Sequence, residues 1–147
     1  GTEVGLVEPQ ATFSACFGAP FMAHRPSVYA KLLREKMESN RTRCILLNTG
    51  WTGGPAGKSP RISISNTRAL LNAALSGEFD GVGMDMDPVF NLRVPKSCPG
   101  VDPEVLNPRS TWPDVVAYDD AARRVRDMFR SNFKKNDFAA FGIDEVL

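Results

Sequence analysis

The stretch with the most apparent chemistry is Gly53-Gly54-Pro55-Ala56-Gly57-Lys58-Ser59, whose Gly-Lys-Ser ending is that of a phosphate-cradling loop. Such a loop works only if its glycine spacing curls backbone N–H groups around the phosphates and a helix starts at the lysine. Here Thr52 stands where the first glycine belongs, and Pro60 follows Lys58-Ser59 at once, leading into the β-prone Arg61-Ile62-Ser63-Ile64. The spacing therefore predicts a glycine-rich loop that cradles no phosphate. Asp85 and Asp87 are a second temptation, since paired acids can hold a cation. Set beside Gly83 and Pro88 with no third acid nearby, they read as a solvated turn, and no metal site is assigned. The arginines at positions 123, 124, 126 and 130 read as a solvated helix face rather than a polyanion surface.

Cys16, Cys44 and Cys98 are widely spaced and form neither a CxxC pair nor a set with the lone His24, so they read as reduced thiols in a cytoplasmic protein. Over 147 residues the chain is 42% apolar with a formal net charge of +1, which fits one globular unit and offers no general field for nucleic acid. No apolar run approaches the roughly 20 residues that a membrane-spanning helix needs. Gly1-Thr2-Glu3 opens without an initiator Met or an element signal and reads as the interior of a longer polypeptide.

The elements that must position these groups follow from periodicity and punctuation. Gly5, Pro9, Gly18 and Pro20 make residues 1–20 a loop, anchored by Phe13, Cys16 and Phe17. Val28, Leu32, Leu33 and Met37 recur at helical spacing after Pro26 and predict an amphipathic helix. Cys44-Ile45-Leu46-Leu47, ending at Asn48-Thr49-Gly50, predicts a buried strand, and Arg61 to Ile64 a brief one. Ser65 or Asn66 is expected to cap a helix with Leu70, Leu71, Ala74 and Leu75 as its apolar face and Gly77 as its stop. The alternation from Val89 to Val94 predicts a strand bracketed by Pro88 and Pro95. Prolines 99, 103, 108 and 113 predict an irregular surface path from Lys96 to Pro113, and Asp119 is expected to cap a last helix bearing Ala122, Val125, Met128, Phe129 and Phe133.

Several of these segments together resemble the ATP-dependent phosphoenolpyruvate carboxykinases. They are Gly1-Thr2-Glu3 running to Phe13-Ser14-Ala15-Cys16-Phe17-Gly18, then Asn48-Thr49-Gly50-Trp51, then Arg61-Ile62-Ser63-Ile64 with Thr67-Arg68. Phe90-Asn91-Leu92, Pro99-Gly100-Val101-Asp102 and Asn107-Pro108-Arg109 extend the likeness, which thins after Trp112. The resemblance implies the C-terminal part of a catalytic domain that turns oxaloacetate and ATP into phosphoenolpyruvate, carbon dioxide and ADP in gluconeogenesis. It further implies that Arg61, Ile62 and Thr67 bind ATP near the adenine and ribose, and that Glu3 to Phe13 is an active-site lid. The phosphate loop, the ligands of a divalent Mg or Mn ion and the substrate-binding cations belong to the family's upstream portion, so no catalytic or metal residue is assigned here.

Physical chemistry is compatible with those roles: a guanidinium stacks on or donates to a purine, Ile62 offers an apolar edge, and the Thr67 hydroxyl lies near a helix start. Without the resemblance, Arg61 reads as one half of a surface ion pair and Thr67 as a local cap. Two departures from the family pattern stand out, a longer loop from Thr52 to Pro60 and Asn66 in place of an acid. The expected architecture is α/β, a portion of a mixed sheet with about three helices and long surface loops. Residues 1–20 form the lid and loop, 21–95 the core with the adenine side of the ATP site, and 96–147 a surface loop and final helix. Oxaloacetate or phosphoenolpyruvate and ATP or ADP are the expected partners, without nucleic acid or membrane, and a homo-oligomer is compatible with the chain. The rival reading is a stand-alone nucleotide-binding or interaction module without catalysis.

Overall fold

The computed structural model describes residues 19–136 and 138–143. The proposed lid, Glu3 to Phe13, and the motif ending at Gly18 lie outside the described residues. Contacts divide the chain into two units, one holding Ile45–Arg126 and the other 19–44 with the described residues from Asp127 onward. Among the described residues the elements are α1 (Pro26–Asn40), α2 (Ile64–Ser76), β1 (Met84–Met86), β2 (Arg93–Pro95), α3 (Pro103–Leu106), α4 (Pro108–Thr111) and α5 (Val115–Lys135), with 3-10 turns at Ala19–Phe21 and Phe138–Phe141. The three expected helices are α1, α2 and α5; α3 and α4 are single turns beyond that expectation.

In the unit of 45–126, α2 carries the core. Its N-cap is Ser63, whose Oγ accepts from Asn66 N at 3.1 Å, so the helix starts earlier than a cap at Ser65 or Asn66 would place it. Gly77 ends it as expected, at φ 76°, with its N–H on the Ala73 carbonyl. The buried face is Leu70 and Ala73, joined by Phe79, Cys98 and Val101, with Met84, Val105 and Leu106 packed beside them. Leu71 and Leu75, expected in the apolar face, are exposed.

The sheet is a two-stranded antiparallel ladder pairing Met84 with Pro95, Asp85 with Val94 and Met86 with Arg93. The expected strand from Val89 is therefore corrected at its first half. Asp87 Oδ1 accepts from Val89 N at 2.8 Å and Phe90 N at 2.7 Å, and Asn91 turns left-handed at φ 52°. A carboxylate that binds the next two N–H groups makes a turn, and only Arg93 to Pro95 remain to pair. Among the described residues Cys44 to Leu47 joins no ladder, so the expected buried strand is not seen there, and Ile45, Leu46 and Leu47 are exposed. Its apolar run satisfies the pattern for a strand but finds no neighbouring backbone to bond among the described residues.

The path from Lys96 to Pro113 is more regular than its prolines suggest. Pro103 and Pro108 occupy first-turn positions, and Asp102 and Asn107 cap the two short helices by accepting from Glu104 N at 3.0 Å and Arg109 N at 3.2 Å. Proline lacks only a donor that a first turn does not use, so here it starts helices. The last helix likewise begins before Asp119. Asp114 Oδ1 accepts from Val116 and Ala117 N at 2.9 and 3.0 Å, which makes it the capping acid.

In the other unit, α1 ends at Arg41 in the left-handed region, φ 51°, with Thr42 N on the Met37 carbonyl at 2.9 Å. The 3-10 turn at Phe138–Phe141 lies against α1. The rings of Phe133 and Phe138 meet at 5.7 Å between centroids, a tilted aromatic contact.

Candidate functional site

The segment from Asn48 to Thr67 folds back on itself. Asn48 Oδ1 accepts from Gly50 N at 2.8 Å, a tight turn in which a β-carbon on residue 50 would meet that same oxygen at 3.0 Å. Beyond the turn, Trp51 and Arg61 form an antiparallel bridge. Thr52 N donates to Pro60 O at 2.9 Å and Ile62 N to Gly50 O at 2.8 Å, so the two ends of the glycine-rich loop are tied on both sides of the bridge. Sequence reading expected a brief strand from Arg61 to Ile64; the structure keeps a single bridge and gives Ile64 to α2.

The loop itself holds its shape by short-range bonds. Lys58 N and Ser59 Oγ both donate to the Pro55 carbonyl, at 3.1 and 2.8 Å, and Gly53 and Gly57 are left-handed at φ 76°. Gly53 N also donates to Thr111 Oγ1 at 3.2 Å, which fastens the loop to the end of α4. No helix starts at Lys58. The N–H groups that would be needed around a phosphate are therefore not gathered at a helix N-terminus, in agreement with the expectation.

Arg61 is exposed and fixed. Its Nε and Nη2 donate to the Thr49 carbonyl at 3.2 and 3.0 Å, which holds the guanidinium over the turn. This is not the surface ion pair that Arg61 suggests without the family resemblance. Ile62 is half-buried, and as the next residue of an extended stretch it projects to the face opposite Arg61. Thr67 is half-buried in the first turns of α2, its N–H on the Ser63 carbonyl at 2.9 Å. The structure thus brings Arg61 and Ile62 to one short ribbon leading into the N-terminus of the helix that carries Thr67. The first turn of α2 contains no acid, with Asn66 where a carboxylate would oppose the positive end of the helix dipole.

A groove of about 400 Å³ opens elsewhere in the same unit, lined by Met86, Val94, Pro103, Leu106 and Tyr118 among others, and by none of Arg61, Ile62 or Thr67. Its charges are already engaged. Lys96 pairs with Asp85 at 3.0 Å, Asp87 caps its turn, and Arg109 grips Asp119 through two bonds of 2.8 and 3.1 Å. The Arg109 hydrogen bond holds the Asp119 carboxyl below the usual carboxylate range, and burial raises the Tyr118 phenol. Asp85 and Asp87 therefore serve the hairpin. Because the groove's ionic groups satisfy one another, the ribbon at Arg61 is the better candidate for an anionic or heteroaromatic ligand.

A family model described as phosphoenolpyruvate carboxykinase matches residues 1–104. The chain belongs to the phosphoenolpyruvate carboxykinase family. A phosphoenolpyruvate carboxykinase (ATP) of Pelobacter propionicus is 57% identical over 135 residues, covering 92% of this chain and 26% of the relative. One of Moorella thermoacetica is 53% identical over 146 residues, covering 99% of this chain and 28% of that protein. A third, of Thermus thermophilus, is 54% identical over 135 residues. The chain spans about a quarter of the length of these carboxykinase relatives.

Two contributors to the ribbon are not legible in the sequence. Thr111, 58 positions from Gly53, carries no local signal of its contact. Trp51, which in the sequence is only part of a motif, stands across the bridge from Arg61.

Proposed function

We propose that the chain supplies the base side of the ATP site in an ATP-dependent phosphoenolpyruvate carboxykinase. In the reaction so assigned, oxaloacetate loses carbon dioxide, and the resulting enolate oxygen takes the γ-phosphoryl group of ATP, giving phosphoenolpyruvate and ADP. The observation that carries this reading is the fixing of Arg61 on the Thr49 carbonyl immediately ahead of α2. A guanidinium tethered through Nε and Nη2 keeps Nη1 available to a purine or ribose acceptor without the entropy loss of ordering a free side chain. Ile62 adds an apolar edge, and Thr67 a hydroxyl near the helix start. The acid-free first turn of α2 lowers the local repulsion of a nucleotide's phosphates and weakens the pull on a ribose hydroxyl.

The γ-phosphoryl end, with the Mg or Mn ion that shields its charge, belongs in this reading to polypeptide outside the matched stretch. Glu3 to Phe13 is assigned as the lid that closes over substrate, and the enzyme to the cytoplasm and gluconeogenesis. Free Cys44 and Cys98 fit a reducing compartment. The chain alone is expected to be inactive, because positioned metal and phosphate ligands supply nearly all catalysis in phosphoryl transfer. A coupled assay with ATP, oxaloacetate and manganese checks this. Sustained turnover proportional to the concentration of the isolated chain would replace the proposal with a self-sufficient enzyme.

A further inference from the structure

The bridge between Trp51 and Arg61 has a definite chemistry on one face. The bonds Thr52 N to Pro60 O and Ile62 N to Gly50 O lie on either side of the pair, so Trp51 and Arg61 form a non-hydrogen-bonded antiparallel pair. In such a pair both side chains rise on the same face, with β-carbons about 4.5–5.5 Å apart. Arg61 is held down on the Thr49 carbonyl. Trp51 is 39% exposed, and among the described residues no hydrogen-bond acceptor or ring contact is found for its indole. Trp112, the other tryptophan, packs edge-on against Tyr118 at 5.6 Å. Thr52 projects to the opposite face, and Gly53 and Gly54 raise no side chain that could cover the indole.

We propose that Trp51 is a base-stacking residue of the nucleotide site, with the purine lying flat on the indole and Arg61 at its edge and ribose. The inference rests on the assignment of Arg61 to the base side and adds a residue to it. On the face of Arg61, Trp51 is the flat surface that this ribbon offers. A π-face accepts any base, but overlap with an indole is larger for a bicyclic purine than for a pyrimidine. Trp51 therefore sets part of the preference for adenine nucleotides over pyrimidine ones, independently of phosphate contacts that both classes share.

The test is calorimetric titration of the full-length enzyme with ATP and with UTP. Trp51→Leu is expected to weaken ATP by roughly five- to 150-fold, the span of base–aromatic stacking, and UTP by much less, while Trp51→Phe keeps most of the ATP affinity. A purely structural role would weaken both nucleotides equally, and an unchanged ATP-to-UTP ratio in Trp51→Leu overturns the inference. Arg61→Ala separates the two levels. If it weakens ATP while Trp51→Leu does not, stacking fails and the base-side assignment stands; if neither does, the assignment itself fails. The unsubstituted protein gives a second reading, should Trp51→Leu not fold. Bound 2-aminopurine riboside triphosphate is expected to lose most of its fluorescence against the indole, and full retention of emission in the bound state overturns the inference.

Discussion

Replacing Arg61 by alanine in the full-length enzyme is the sharpest perturbation of the proposed site. Two bonds to one exposed carbonyl, at 3.2 and 3.0 Å, are lost with the side chain. Water can rehydrate Thr49 O at an exposed position, so the fold itself is expected to lose less than about 1 kcal/mol. The nucleotide loses a charged donor, which costs about 1–3 kcal/mol and corresponds to a rise of roughly five- to 150-fold in the KM for ATP. Contacts to base and ribose change little between ground state and transition state, so they are uniform binding, and turnover at saturating ATP should fall much less. Thr67→Val should move KM in the same direction and less, since one neutral hydrogen bond contributes about 0.5–1.5 kcal/mol. Steady-state rates across ATP concentrations at saturating oxaloacetate separate the two parameters. A large drop in turnover at unchanged KM would put Arg61 at the transferred phosphoryl group, and the division of labour argued from the ribbon would be wrong.

Two further outcomes follow from the fold. Gly77→Ala is expected to cost about 1–2 kcal/mol in a urea unfolding series, because φ 76° is strained for any β-carbon even though the space is open enough, with Asp80 Oδ2 at 3.5 Å; an unchanged midpoint would contradict the left-handed cap. The Arg109–Asp119 pair gives acid sensitivity of a definite sign. Because the folded state holds the Asp119 carboxyl below its ordinary value of about 3.9, the pair's stabilisation is present above that pH and is lost as pH falls through the lower folded value. Melting curves of Asp119→Asn against the unsubstituted protein should differ most near neutrality and converge in acid, and a difference that grows on acidification would reverse the assignment.

The sequence by itself determined what neighbours within a few residues decide. The stop at Gly77, the helix after Pro26, and the lack of a helix start at Lys58 were all legible, because caps, φ preferences and proline's missing donor act over one turn of chain. The motifs from Asn48 to Arg68 carried the family likeness for the same reason: they are contiguous. Even local chemistry was partly misjudged, since Asp87 turned a predicted strand into a bend and Asp102 and Asn107 made helices of proline-rich chain. What only the tertiary structure decided is pairing. Among the described residues Cys44 to Leu47 has a strand's pattern without a ladder, whereas Met84 to Met86, a weaker pattern, pairs with Arg93 to Pro95. Ladder bonds need a second backbone at the right distance, and nothing in a segment's own residues says whether one is there. The same holds for the site: Arg61's place on Thr49, Trp51's place across from it and Thr111's hold on Gly53 arise from chain closure over 10 or more residues, which side-chain type alone does not encode.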